Sequence, residues 1–475
     1  MADARASRVP TSWWRRSATR LLVSVLVVLV GAALAVGARW AWQDGQLNGV
    51  ICGGDCGPSN VVAPDGLVVS APASAVTSPT SASAPVDPDA VVAAVDVLLS
   101  DSLLGPSVGF AAAAADPGAP ISTAGQPGVF MPASTTKLLT GYAALATIDP
   151  QTRFTTSVVM AGDRVVLVGG GDPYLTARRD KNSTRVERAD LKSLAEKTAA
   201  ALQDSGRASV RLGFDDALFT GPTISPGWED SYIPDNIVTP VSALWVDQGL
   251  KDGVRAQDPA QAAANRFAQL VRDAGVDVTG TVGRTAAPAG AALLTSVRSA
   301  TVEQIVGALI RTSNNQTAEV MLRHVALAGG RPGSFQEGAA AVSAALQAAD
   351  IDTTGLVLMD GSGLSRRNRI SPTTLVDVVQ ASLSTPRGAA VVDDLPLSGF
   401  SGTLADRFDR AAHGLIRAKT GTLSGVHSLA GYALDADGRP VVFAVMSDEA
   451  DRVKSLAAQA SIDDIAAAIA ACSCG

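Results

Sequence analysis

A serine and a lysine three residues apart, in a segment that runs from a loop into a helix, place the tightest constraint on this chain. The segment is Met131-Pro132-Ala133-Ser134-Thr135-Thr136-Lys137-Leu138-Leu139. Pro132 has no backbone donor and suits the entry, and Leu138, Leu139, Tyr142 and Leu145 follow at helical spacing. Ser134 and Lys137 are therefore expected on one helix face, a turn apart. A serine hydroxyl is a poor nucleophile until a base takes its proton. A lysine amine can serve when burial or a nearby positive charge lowers its pKa. The unpaired N–H groups of a first helical turn can also stabilise an oxyanion. A capping serine followed by a solvated lysine would give the same letters, so the pair alone decides little. It is nevertheless unique, because no other lysine has a serine three positions before it.

Two further unique motifs give it weight. Ser313-Asn314-Asn315 is the only Ser-x-Asn, between two helical patterns. Lys419-Thr420-Gly421-Thr422 contains the only Lys-Thr-Gly, in the strand-like run Leu415 to Thr422. A turn or a solvated strand end explains either one alone. Together, in this order, the three motifs are the signature of penicillin-recognising serine acyltransferases. Gly169-Gly170-Gly171-Asp172-Pro173, Asp360-Gly361-Ser362-Gly363-Leu364-Ser365-Arg366 and Leu395-Pro396-Leu397-Ser398-Gly399 narrow the likeness. From about residue 90 to about residue 450 the chain resembles the D-alanyl-D-alanine carboxypeptidase/endopeptidase group, the low-molecular-mass class C penicillin-binding proteins.

That resemblance implies an α+β fold of the β-lactamase/penicillin-binding-protein transpeptidase type. It also implies a serine D-Ala-D-Ala carboxypeptidase, with DD-endopeptidase action as a further outcome, acting on peptidoglycan stem peptides and inhibited by β-lactams. Ser134 would be the nucleophile and Lys137 its general base. Ser313 would relay the proton to the leaving amine, and Asn315 would bridge Lys137 and the substrate amide. Lys419, Thr420, Gly421 and Thr422 would bind substrate, Lys419 supplying charge for a terminal carboxylate. The N–H groups of Ser134 and Thr422 would form the oxyanion hole. No metal or organic cofactor is implied. A β-lactamase-like hydrolase is the rival and would need a carboxylate to activate water, for which the sequence offers no candidate. A non-enzymatic penicillin-binding scaffold or sensor would need a lost motif residue, and none is lost.

The first residues bear on location. Arg5, Arg8, Arg15, Arg16 and Arg20 face a single acid, Asp3, within residues 1–20. Leu21 to Ala38 are 18 uncharged, mostly apolar positions, followed by Arg39, Trp40 and Trp42. A basic cytoplasmic tail and a transmembrane signal-anchor over 21–38 are expected, with a signal peptide cleaved after Val36-Gly37-Ala38 as the alternative. Either way the rest of the chain is extracytoplasmic. Residues 39–88 read as a Pro/Ala/Ser-rich linker. Cys52, Cys56, Cys472 and Cys474 lie far from the motifs and read as disulfides. A ring closed by Cys472 and Cys474 would be strained, so pairs joining the two ends are expected.

The motif spacing sets the domain plan. Ser134 and Ser313 are 179 positions apart, more than linking helices need. Strand and helix patterns alternate in between, and Asp258 caps a helix at Pro259 to Asp273. An inserted α/β domain over 155–290 is expected, the catalytic domain being 89–154 with 291–475. Thr301 to Gln304 reads as a capping box opening the next helix. The C-terminal part reads as an antiparallel sheet flanked by helices, beside an all-helical lobe. The formal charge is −7 with no basic patch, so no nucleic-acid partner is indicated. The three histidines, His324, His413 and His427, have no metal-ligand spacing and read as structural.

Overall fold

The computed structural model of the protein describes residues 85–179, 186 and 188–475. The basic tail, the apolar span 21–38 and the linker up to residue 84, with Cys52 and Cys56, lie outside the described residues. Among the described residues no helix is long and apolar enough to cross a membrane.

Helix α1 (Pro88–Leu99) starts on Asp87, whose carboxylate accepts the Asp89 N–H. Strands β1 (Val108–Ala114) and β2 (Ile121–Gly125) form an antiparallel hairpin. Helix α2 (Thr136–Thr147) follows the turn that carries Ser134. Then come β3 (Arg153–Ala161), β4 (Arg164–Val168), α3 (Leu191–Asp204), β5 (Ser209–Asp215), the short pair β6 (Leu250–Lys251) and β7 (Val254–Arg255), α4 (Pro259–Asp273), β8 (Asp277–Arg284) and β9 (Ala292–Thr301). The remainder is α5 (Val302–Thr312), α6 (Asn315–Ala328), α7 (Phe335–Gln347), α8 (Pro372–Leu383), the short α9 (Ala389–Asp393), β10 (Ile416–Leu423), β11 (Val426–Leu434), β12 (Pro440–Ser447) and α10 (Ser455–Ala471).

The first sheet runs β10-β11-β12-β1-β2, antiparallel throughout. Strand β1 is buried at every position because both faces are covered. Phe110 and Ala112 pack with Val95 of α1 and Ile465 of α10. Ala111 and Ala113 face the helical lobe with Leu138, Val306 and Val376. Cover on both sides is why this strand reads Val-Gly-Phe-Ala-Ala-Ala-Ala instead of alternating. The lobe closes round α2, in which every residue from Thr136 to Leu145 is buried. Gly141 lets α5 come close, since a Cβ there would lie 3.3 Å from Val306 and 3.4 Å from Ile310.

A second sheet, ordered β8-β5-β4-β3-β9, is built from the strands between Arg153 and Thr301. Strands β4, β5 and β8 run parallel, and β3 lies antiparallel to β4 and β9. Leu194 of α3 and Phe267 of α4 pack against Leu167, Leu212 and Phe214. Asp258 caps α4 by accepting the Gln261 N–H, and Thr301 with Gln304 completes the capping box of α5. Strand β9 closes this sheet at one edge. Its pairing with β3 shifts register twice, and Leu293 is 63% exposed, so no period-two pattern marks it.

The expected disulfide pairing between the chain ends is corrected at the C-terminus, where Cys472 is bonded to Cys474. The chain leaves α10 extended at Cys472, with φ −83° and ψ 145°. The Cα–Cα separation of 5.3 Å lies within the range that a disulfide spans.

Candidate active site

The turn ahead of α2 is held by hydroxyl groups. Ser134 sits in a single 3-10 turn, Ala133–Thr135, and its predecessor Ala133 has φ +47°. That left-handed angle is costly for a residue with a Cβ and re-aims the chain at Ser134. The Pro132 carbonyl accepts from Thr135 Oγ1 at 2.7 Å and Ser428 Oγ at 2.6 Å. The Ala133 carbonyl accepts from Thr136 Oγ1 at 2.8 Å. Gly363, at φ +84°, packs so closely on Ala133 that no Cβ would fit.

Lys137 is fully buried. Its Nζ lies 2.8 Å from Ser134 Oγ, 2.8 Å from Asn315 Oδ1 and 2.6 Å from the Ser362 carbonyl. Three acceptors match the three donors of an ammonium. A neutral amine would keep the bonds to Asn315 and Ser362 and turn its lone pair to the Ser134 hydroxyl. Burial pushes the Lys137 pKa down to about 7, opposed by the negative charges of Glu319 and Asp360. Both protonation states are therefore within reach near neutral pH.

Glu319, and Asp360 at the head of its motif, are given no site role by the sequence, yet they fix Lys137's surroundings. Glu319, buried on α6, accepts the N–H groups of Gly361 and Ser362 at 2.9 Å each, which orients the Ser362 carbonyl toward Lys137. Burial, then the neighbouring Asp360, raises its pKa. Asp360 accepts from Trp228 Nε1, the N–H groups of Gly363 and Ser365, and Asn368 Nδ2. A usable signal existed for Glu319, which lies four residues after Asn315 and hence on the same helix face. The shell of Asp360 is mostly local, from Gly363, Ser365 and Asn368 in and just after the Asp360 to Arg366 motif, and only Trp228 comes from far along the chain.

Ser313 ends α5 in the left-handed region at φ +55°, and Asn315 opens α6. The structure brings Asn315 onto Lys137. Ser313 is half-buried, and its hydroxyl makes no hydrogen bond among the described residues.

Strand β10 lies at the edge of its sheet. A Cβ on Gly421 would lie 2.5 Å from the Pro132 carbonyl and 3.1 Å from the Ser134 nitrogen, so only glycine lets the strand approach the turn this closely. The Ala418 N–H points outward, donating to Pro396 at 3.1 Å. Antiparallel backbone alternates sides, so the N–H of Thr422 faces the same edge as that of Ala418. Thr422 is exposed, and Thr420 Oγ1 donates to Thr403 Oγ1 at 2.9 Å. Lys419 is fully buried, with Nζ donating to the Thr420 carbonyl at 2.7 Å. Burial, with the positive charges of Lys137 and Arg407, pushes its pKa well below the usual lysine range.

The histidines lie in packing positions. His324 stacks on Phe154 at 3.6 Å with Nε2 at 2.9 Å from the Gly171 carbonyl, His413 sits 3.2 Å from the Phe408 carbonyl, and His427 sits 3.3 Å from Ser455 Oγ.

Comparison with known proteins places this geometry. The sequence pattern of the D-Ala-D-Ala carboxypeptidase 3 (S13) family matches residues 91–252 and 250–469. Carboxypeptidase Rv3627c of Mycobacterium tuberculosis is 38% identical over 337 residues, covering 67% of this chain and 71% of that one. Carboxypeptidase DacB of Mycolicibacterium smegmatis is 34% identical over 377 residues, covering 76% and 80%. In fold, the chain is similar to penicillin binding protein 4 (dacB) from Haemophilus influenzae, with a TM-score of 0.65 at 21% identity over 78% of this chain and 97% of that one.

Proposed function

The chain belongs to the D-Ala-D-Ala carboxypeptidase 3 (S13) family, and we propose that it removes the terminal D-alanine of peptidoglycan stem peptides through an acyl-enzyme on Ser134. The observation that carries this reading is the 2.8 Å contact between Lys137 Nζ and Ser134 Oγ, with the Lys137 pKa drawn to about 7. In its neutral form Lys137 takes the Ser134 proton as Oγ attacks the peptide carbonyl. The N–H groups of Ser134 and Thr422 receive the oxyanion. Ser313 passes a proton to the leaving D-alanine amine, and Asn315 holds both Lys137 and the substrate amide. Lys419, with the hydroxyls of Thr420 and Thr422, receives the terminal carboxylate. Among the described residues its ammonium has no anionic partner, so a carboxylate would stabilise its charged form. Water then releases the shortened peptide. A penicillin would acylate the same serine.

A β-lactamase-like reading needs a carboxylate free to activate water. The two whose charges act on Lys137 are buried, with their oxygens occupied by N–H donors. That favours the peptidase. Location follows from substrate: the chain works outside the cytoplasm, and residues 21–38 would tether it to the membrane. Membrane fractionation of the full chain and of a form lacking residues 1–38 would test the tether, the shortened form being expected in the soluble fraction.

The reaction is tested by digesting purified muropeptides and weighing the products. Pentapeptides should lose one D-alanine, and penicillin should block the loss. Cleavage of cross-linked dimers would add DD-endopeptidase action. Folded, penicillin-labelled protein that leaves both substrates intact would contradict the proposal.

A further inference from the structure

We infer that Gln248, carried by the segment between β5 and β6, is a positioning residue for acylation, setting the Ser313-Asn314-Asn315 turn against Lys137. This rests on the reading of Ser134, Lys137 and Asn315 given above.

Gln248 and Asn314 form a reciprocal amide pair. Gln248 Nε2 lies 3.2 Å from Asn314 Oδ1, and Asn314 Nδ2 donates to Gln248 Oε1 at 3.0 Å. Gln248 Nε2 also lies 3.2 Å from Thr317 Oγ1 and 3.3 Å from the Pro173 carbonyl. Asn314 Oδ1 accepts the Thr317 N–H at 2.9 Å as the N-cap of α6. Both faces of the Asn314 amide are thus spoken for, and its orientation is set. The turn needs such a brace. Ser313 is left-handed, and its hydroxyl makes no hydrogen bond of its own.

The bracing segment is itself held in an unfavourable conformation. Asp247, Gln248 and Gly249 are consecutive left-handed residues, at φ +51°, +55° and +72°. Two of the three carry a Cβ, so the surroundings must hold them there. The Asp247 N–H donates to the Leu175 carbonyl at 2.9 Å, and its carboxylate accepts from Thr176 Oγ1 at 2.6 Å. The Gln248 carbonyl accepts from buried Thr239 Oγ1 at 2.7 Å. A Cβ on Gly249 would lie 2.5 Å from Thr239, which is why the third residue is glycine. The strain is thus stored where one side chain reaches out of the inserted segment to the catalytic turn. Asn315, next in sequence to Asn314, places Oδ1 2.8 Å from Lys137 Nζ. Loss of the brace would loosen that contact and the placement of Ser313 together.

The test is the second-order rate of acylation by a fluorescent penicillin, measured on the full chain at pH values on both sides of 7. Gln248→Met keeps the bulk of the side chain and removes its hydrogen bonds. We expect the rate to fall about 10- to 100-fold, the scale of a small misplacement of catalytic groups. The limb that reports Lys137 should move to lower pH. An ammonium that loses the Asn315 oxygen is less stabilised, so the amine becomes neutral sooner. Circular dichroism and the fraction labelled at completion should match the parent. Should the Met variant fail to fold, Gln248→Leu, which also lacks the hydrogen bonds and adds no charge, takes its place, and a fall with the same direction of shift is expected. A rate within about twofold of the parent, or a fall with the pH limb unmoved, would overturn the inference. A parent that takes no label at all would instead mean that the acyl-enzyme reading has failed.

Discussion

Lys137 and Lys419 are the same residue type and are equally cut off from solvent, yet they sit in opposite company. Lys137 lies on a central helix with three oxygen acceptors and feels two buried carboxylates. Lys419 lies on an edge strand, bonded to one carbonyl, and among the described residues the charges that act on it, Lys137 and Arg407, are positive. Desolvation acts alike on both, so the partners decide what each can do. Acceptors and carboxylates bring Lys137 to a balance between charged and neutral forms, as a base requires. Lys419 lacks an anion and is suited to receive one.

Breaking the two nests separately should give different losses. Lys137→Met should lose about 10²- to 10⁴-fold in acylation, the usual worth of a general base, on a pentapeptide ending in free D-Ala and on its amidated form alike. Lys419→Met should lose about 10- to 150-fold on the free carboxylate, as expected for a charge-assisted hydrogen bond worth about 1.5–3 kcal/mol. Its loss on the amidated peptide should be much smaller. Equal losses on the two peptides would place Lys419 in the chemistry and remove the contrast.

The smallest effect is a displacement in pH. Acylation should rise with pH through about 7 as Lys137 becomes neutral. Glu319 favours the charged lysine, so Glu319→Gln should let Lys137 lose its proton at lower pH and move the limb down. A limb that moves up, or stays put in a folded variant, would show that the Glu319 charge does not set the Lys137 balance.

The same contrast explains what the sequence makes legible. Ser134 and Lys137 can be paired by helix spacing alone, because α2 is long and apolar enough to declare itself. The capping residues Asp258 and Thr301 mark their helices for the same local reason. Apart from Ser134, the partners of Lys137 are not local, Asn315 lying 178 residues away and Ser362 225, and the contacts behind the site reach as far. Trp228 reaches Asp360 across 132 residues, and Ser428 reaches Pro132 across 296. Gly421 is legible as part of a motif, but its reason, the close approach to Ser134, appears only when the sheet edge meets α2. The Cys472–Cys474 bond escapes a ring-strain estimate because the local backbone brings the two Cα atoms to 5.3 Å, within a disulfide's reach.

The central claim is that one serine, made nucleophilic by Lys137, forms the acyl-enzyme. Fluorescent penicillin labelling followed by mass analysis of the labelled peptide tests it most directly. The adduct should sit on Ser134, vanish in Ser134→Ala and persist in Ser107→Ala, which changes the serine of Gly105-Pro106-Ser107-Val108-Gly109, a Gly-x-Ser-x-Gly pattern set ahead of a strand. Label retained by folded Ser134→Ala would contradict the account.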